Sequence, residues 1–353
     1  MNKVGIVRDV LFLRHRPPDG HPESPGRLKS IYAMLDREDM GGRFTPIAPR
    51  RAEREEILWV HAAHHLEKIR ATAGREACAL TRDTFTSADS CEAALQAAGG
   101  LLEAVSQVVG GRLDAAFALT RPPGHHAEKS RAMGYCLFNN AALAAAFARR
   151  RLGLARVLIV DWDLHHGNGT QHLFENDDGV LYFSTHQGRI FPGTGLFTET
   201  GRGRGEGYTV NIPLPGGYGD AEYAALFERL LRPLATAYGP DLILVSAGFD
   251  THRDDPLGGM TMTAAGYAAL TRSLMETARD CCGGRLVFTL EGGYNTAVLA
   301  ESVKAVLMEL ADLTRHDPRQ AMARASTRRI AYAVHRVTHV HGRLWKTLGG
   351  PDA

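Results

Sequence analysis

The stretch DWDLHHGNGT (161–170) packs two carboxylates and two imidazoles into six positions. Asp163 and His165 stand at i and i+2 just past the apolar run VLIV, so an extended backbone directs both side chains to one side. Alone, such a pair is more often a satisfied polar turn than a metal site. Asp250, at the end of another apolar run, supplies a third donor and changes that balance. One imidazole and two carboxylates leave a position open for water or substrate, as catalytic zinc sites do. The same oxygen-rich set also accepts Fe(II) or another divalent ion. His125 and His126 follow RPPG, where two prolines stiffen the chain and Gly124 permits close backbone approach. Beside a metal, such a pair can provide the base and the acid of a hydrolysis. Asp161 can hold one histidine as the imidazolium, and uncharged Asn168 can orient the other in its neutral form. Tyr294 follows two glycines in EGGY (291–294), where a phenol can donate to a developing oxyanion.

The elements that must position these groups follow from hydropathy. Five short runs, AAFALT (115–120), RVLIVD (156–161), VLYFST (180–185), DLILVSA (241–247) and RLVFTLE (285–291), read as strands buried on both faces. Helical periodicity runs through 139–152, 221–239 and 263–280. Alternating strand and helix predicts an α/β fold with a parallel sheet. Each of the five strands ends in unusual polar chemistry, and in open α/β sheets ligands bind beyond the carboxyl ends of the strands. No repeat or Pro/Ser linker divides the chain, so 1–353 is expected to form a single domain.

Composition narrows the class. The 353 residues are 44% hydrophobic and 23% charged with net charge +2, which offers no whole-molecule attraction for nucleic acid or anionic lipid. No nucleic-acid or membrane partner is expected. Five cysteines, odd in number and without a C-x-x-C pair, predict a reduced, cytoplasmic protein. Arg8 and Asp9 interrupt the first apolar run before it reaches signal-peptide length, so export is not expected. GRGRGEG (201–207) neither follows a predicted strand nor opens a helix, which argues against a phosphate loop. RRR (149–151) complements a helix C-terminus. From Arg315 to Lys346 Asp317 is the sole acid; this stretch reads as a solvated helical tail or, more sharply, as a dock for a second subunit or an acidic partner.

RPPGHH, DWDLHHGNGTQHLF, STHQGRIFPGTG, GYTVNIPLP, SAGFDTHRDDPLGGM and TLEGGYN, with HPESPGRL (21–28) and DTFTSADSCEAALQAAGG (83–100) upstream, resemble the zinc-dependent histone deacetylase family and its acetylpolyamine amidohydrolase relatives. Asn168 in GNGT looks like the class II branch. The resemblance covers about residues 11–313 and leaves 314–353 as a basic, helical extension. It implies a three-layer αβα domain around a mainly parallel sheet of about eight strands. It also implies removal of acetyl or short acyl groups from acyl-lysine, with Asp163, His165 and Asp250 binding one zinc per chain. His126 becomes general base and acid, His125 its partner held by Asp161, and Tyr294 the carbonyl-polarising donor. Gly134, Tyr135 and Phe191 resemble the walls of an acyl-lysine tunnel, and Asp83 a rim carboxylate that grips the substrate backbone. One potassium would involve Asp161, Asp163, His165, Ser184 and Thr185; a second, Phe174, Asp177, Val180 and Tyr208. Polyamine-selective relatives place a glutamate where this chain has Leu257, which favours an acylated lysine peptide over a small acetylated amine. Asp19, Glu23, Asp89 and Glu128 are nevertheless candidates for an acidic rim. A homo-oligomer is a candidate assembly, and a binuclear manganese hydrolase and a non-catalytic acyl-lysine reader are the alternative functions.

Overall fold

Eight strands form one sheet in the computed structural model, which describes residues 2–348. They are β1 (Val4–Val7), β2 (Thr45–Ile47), β3 (Ala115–Ala118), β4 (Val157–Asp161), β5 (Val180–Gln187), β6 (Thr209–Leu214), β7 (Leu242–Ala247) and β8 (Leu286–Leu290). Their order is β2-β1-β3-β8-β7-β4-β5-β6, and every neighbouring pair is parallel. The five strands expected from the sequence are β3, β4, β5, β7 and β8. The other three lie toward the margins and are harder to read. β1 is only VGIV; β2 and β6 are the two edges and carry Pro46 and Pro213, tolerated there because an edge strand leaves one row of N–H groups unpaired.

Between β3 and β4 the chain skips two places in the sheet, which β7 and β8 fill later. The four central strands therefore come from well-separated segments, and their carboxyl ends bring 119–126, 161–166, 248–250 and 291–294 side by side. Along 161–163 the side chains alternate. Asp161 and Asp163 reach the site, whereas Trp162 enters the core against Phe288, Tyr267, Phe227 and Phe249, with ring centroids 5.6, 6.0, 6.4 and 6.5 Å away.

Helices cover both faces. α1 (Gly26–Leu35), α2 (Ser90–Val109), α3 (Asn140–Arg151), α4 (Asn168–Phe174), α5 (Ala264–Cys282), α6 (Thr296–Leu310) and α7 (Thr327–His341) are the ones that bear on the site or its frame. α2 packs with α3, and α1, α6 and α5 pack in succession; α3 and α5 both meet β7, which encloses the sheet between two helical layers. The periodic run 221–239 is not one regular helix: α-helical Asp220–Leu226 passes through a π-turn at Phe227–Leu231 into Arg232–Tyr238. Pro233 explains the interruption, since it has no N–H to give the preceding turn.

The basic C-terminal stretch is helical but not a free tail. Ile330, Ala333, Val334 and Val337 of α7 are buried, and α7 packs on β6 and on helix Asp220–Leu226. Arg329 donates to the Gly217 carbonyl at 2.8 Å and the Trp345 indole to the Gly207 carbonyl at 2.9 Å. The apolar face of α7 is thus packed within this chain, and its arginines lie on the other faces. The outermost residues of the expected single domain, Met1 and 349–353, lie outside the described residues. Among the described residues no helix is long and apolar enough to cross a membrane.

Trp162 is the packing centre behind the site. Trp162→Ala should cost about 3–5 kcal/mol in urea unfolding; a loss under about 1 kcal/mol would contradict that placement.

Candidate functional site

Asp163, His165 and Asp250 meet at the ends of β4 and β7, each with a donor atom within 4.8 Å of the other two. His165 Nδ1 lies 3.2 Å from Asp163 Oδ1 and 3.1 Å from Asp250 Oδ2. Both carboxylates are fully buried and oriented by backbone: Gly292 N–H donates to Asp163 Oδ2 at 2.8 Å, and Leu164 N–H to Asp250 Oδ1 at 2.9 Å. Gly292 is required there, because a Cβ would stand 2.3 Å from Asp250 Oδ2 and 2.7 Å from Asp163 Oδ2. Burial disfavours charge on His165, but hydrogen bonds to the two carboxylates overcome it and raise its pKa to about 10. Burial beside Asp163 raises Asp250 to about 7, whereas His125 and His165 hold Asp163 below the usual carboxylate range against its own burial. This hard, anionic, pre-oriented donor set suits a divalent cation, which would take the place of the proton on His165.

The two adjacent histidines divide between two partners. His125 Nδ1 sits 3.1 Å from Asp161 Oδ2, which also accepts from the Tyr182 hydroxyl at 2.9 Å. Against the penalty of burial, Asp163, Asp161 and Glu291 raise His125 to about 10, which favours the imidazolium. His126 Nδ1 sits 2.8 Å from Asn168 Oδ1. That oxygen can only accept, so Nδ1 carries the hydrogen and Nε2 keeps its lone pair. Burial, with cationic His125 and His165 nearby, holds His126 well below the ordinary imidazole range. One ring is thus poised as a cation and its neighbour as a neutral base.

Tyr294 is set by its own backbone. Asp255 accepts from Tyr294 N–H at 2.6 Å and Asn295 N–H at 3.3 Å, and its other oxygen from Leu257 N–H at 3.0 Å. The Arg27 guanidinium lies 5.1 Å from the centre of the Tyr294 ring and donates through Nε to the Gly293 carbonyl at 2.6 Å.

Aromatic rings collar the cluster. Phe191 meets His126 edge-on at 5.0 Å and His165 at 6.1 Å, and Tyr135 meets Tyr294 at 5.9 Å and His21 at 4.5 Å. Gly134 has φ +55°, and a Cβ on it would lie 2.2 Å from His126 Cδ2, so any side chain there would push the imidazole aside. Asp83 lies in the turn of a small antiparallel pair, Cys78–Ala79 with Phe85–Thr86. Its Oδ1 accepts from Thr81 and Thr84 hydroxyls at 2.7 and 2.8 Å and its Oδ2 from Gly134 N–H at 3.2 Å, so here it braces the collar. Leu257 is 40% exposed on the loop that Asp255 fixes.

Ser184 is in register with Asp161, its hydroxyl 2.9 Å from His186 Nδ1, and the buried Thr185 hydroxyl has no hydrogen-bond partner among the described residues. Phe174, Asp177, Val180 and Tyr208 gather where the chain enters β5. The Phe174 and Tyr208 carbonyls each accept a backbone N–H at 2.9 Å, and Arg149 pairs with the Asp177 carboxylate.

Two rim candidates belong elsewhere, Glu128 because its carboxylate is taken by Asn168 and His172. Glu23 is fully buried, pairing with Arg27 and Arg121 and lying 3.3 Å from His15, so it is a buttress beneath the site. Sequence reasoning also passed over Glu291, which accepts from Gly124 N–H at 2.7 Å, His125 N–H at 3.1 Å and the Ser246 hydroxyl at 3.1 Å. Its signal, an acid directly before the glycines of EGGY, became meaningful only when β8 was found beside β3.

The profile of the histone deacetylase domain matches residues 21–310. The chain belongs to the histone deacetylase family. Histone deacetylase 15 of Arabidopsis thaliana is 41% identical over 335 residues, which are 93% of this chain and 59% of that protein. Histone deacetylase 5 of the same plant is 39% identical across 94% of this chain and 53% of its own length. Histone deacetylase 10, chloroplastic, of Oryza sativa subsp. japonica is 38% identical across 95% of this chain and 82% of its own. The crystal structure of the HDA15 HD domain superposes with a TM-score of 0.92 at 38% identity, covering 99% of this chain and 96% of that one. This histone deacetylase family member therefore spans little more than half the length of the two Arabidopsis proteins.

Because His165 holds a proton with a pKa near 10, zinc uptake at pH 7 should release at least one proton per chain, and affinity should fall as pH is lowered. Calorimetry in two buffers of different ionisation enthalpy reads this, and uptake without proton release would contradict it. Asp163→Ala and Asp250→Ala should each abolish retention of the metal in elemental analysis.

Proposed function

We propose that this chain is a zinc-dependent deacetylase that removes acetyl or short acyl groups from lysine side chains. What carries the reading is the meeting, inside one aromatic collar, of the Asp163–His165–Asp250 cluster with a cationic and a neutral histidine and with Tyr294. Zinc, when bound by those three residues, would lower the pKa of water to around 7 and polarise the amide carbonyl. His126, neutral with Nε2 free, takes a proton from the attacking water. His125, held as the imidazolium by Asp161, stabilises charge that accumulates beside it, and proton return to the departing amine completes the cleavage. Tyr294 donates its phenolic hydrogen to the carbonyl oxygen as that oxygen becomes an oxyanion. The Tyr135 and Phe191 rings suit the apolar stem of an acyl-lysine. Potassium at Asp161, Asp163, His165, Ser184 and Thr185 would give the unpaired Thr185 hydroxyl a partner; Phe174, Asp177, Val180 and Tyr208 are proposed as a second such site. Free cysteines fit a reducing compartment such as the cytoplasm.

A small acetylated amine is the second substrate class. Leu257, apolar and partly exposed where a glutamate would attract a distal ammonium, favours the peptide. A binuclear centre is disfavoured because Asp254, the next carboxylate after Asp250, is 59% exposed and turned toward His252 at 3.7 Å.

Tyr294→Phe should keep the metal and lose about 10²–10³ in kcat, the usual cost of one oxyanion donor. Activity near wild type would overturn the role of the phenol. The substrate class is read by giving the zinc-loaded chain acetyl-lysine peptide and acetylpolyamine in parallel, with a chelated control. Faster peptide turnover is expected, and absence of chelator-sensitive turnover on either would overturn the hydrolase reading.

A further inference from the structure

Asn168 and His172 stand at i and i+4 on α4, and one carboxylate oxygen, Glu128 Oε1, serves both. Asn168 Nδ2 donates to it at 2.5 Å and His172 Nδ1 lies 2.8 Å away. The Asn168 amino group also faces the His126 carbonyl at 3.4 Å and Met133 Sδ at 3.5 Å, two further acceptors. Turning the amide over would set its oxygen against a carboxylate, a carbonyl and a sulfur, and its amino group against His126. The backbone that carries Glu128 is fixed. Its N–H donates to the Arg131 carbonyl at 2.9 Å, its own carbonyl lies 3.0 Å from His61 Nδ1, and the adjacent Lys129 carbonyl accepts from Ala62 N–H at 2.8 Å. Beyond the carboxylate lies a cavity of about 860 Å³ also lined by Trp59, Lys129, Arg150 and His172, so the chain of contacts runs from His126 to the outside of the domain.

We propose that Glu128 is a positioning residue: it locks the Asn168 amide with Oδ1 toward His126 and thereby holds His126 in the Nδ1–H tautomer with Nε2 free. An asparagine without that lock keeps only the long 3.4 and 3.5 Å contacts to the His126 carbonyl and Met133 Sδ, and can offer His126 either end of its amide. The ring then divides between two tautomers, and the one with hydrogen on Nε2 cannot accept a proton there. The effect on turnover rests on the reading of His126 as the base; the tautomer itself does not.

The test uses the full chain, zinc-loaded for kinetics on acetyl-lysine peptide, and metal-free with ¹⁵N-labelled histidine for NMR of the His126 ring, assigned by its loss in His126→Ala. Glu128→Ala should lower kcat about tenfold or more, the scale on which outer partners of a site residue act, with KM little changed. Glu128→Gln should keep most of kcat, since its carbonyl accepts the same hydrogen. Glu128→Ala combined with Asn168→Asp should recover much of the loss, because a carboxylate has no donor end to misplace. In the spectrum, wild type should be Nδ1–H and Glu128→Ala mixed. Should the Ala variant not fold, Glu128→Leu removes the acceptor while keeping bulk. Wild-type kcat in Glu128→Ala, a Gln variant no better than Ala, or an unchanged His126 tautomer would each overturn the proposal. If the wild-type chain turns over no substrate, the hydrolase reading fails separately and the tautomer spectrum still decides the role of Glu128.

Discussion

Asp161, Asp163 and Asp250 are buried together at the ends of two adjacent strands, and the compensation of that negative charge governs the surrounding structure. A buried carboxylate without a partner costs several kcal/mol, so every oxygen must find a donor or a cation. His125, His165, the Tyr182 hydroxyl and the backbone N–H groups of Asp163, Leu164, His165 and Gly292 supply them. The same requirement produces the functional asymmetry: cationic His125 and His165 leave the adjacent His126 neutral. The divalent cation proposed between Asp163, His165 and Asp250 would complete the compensation more fully than a proton on one imidazole can.

The sheet makes that concentration of charge possible. Parallel strands end together, and the skip between β3 and β4 lets β7 and β8 deliver their own loops into the gap. Trp162 anchors the turn that carries Asp163 and His165 from below, while Arg27, with Glu23 and Arg121, supports the Tyr294 loop from the side. Asp255, Glu291 and Glu128 then fix three separate parts of the site through backbone or amide groups, without belonging to the cluster itself.

Much of this was legible in the sequence where chemistry and hydropathy coincide. The strands before 161, 248 and 291 are runs of β-branched residues, and each ends in a carboxylate, an imidazole or a phenol, so element and site residue announce each other. That Asp161 would hold one histidine as a cation and Asn168 orient the other as a neutral ring followed from charge, and the resemblance gave His125 to Asp161. What was not legible depended on spatial neighbours. β2 and β6 carry prolines that only an edge tolerates, Glu23 looked like a rim acid until Arg27 and Arg121 enclosed it, and α7 looked like a tail until its apolar stripe met β6. Glu291 and Asp255 act on backbone N–H groups contributed by distant loops, and residue spacing carries no trace of such contacts.

A single divalent cation shared by Asp163, His165 and Asp250 is proposed to organise this pocket. Anomalous scattering at the zinc edge, from crystals of the zinc-loaded chain, tests it most directly. A single strong peak among those three side chains is the predicted result. Two peaks in the pocket, or zinc held only elsewhere on the molecule, would contradict it.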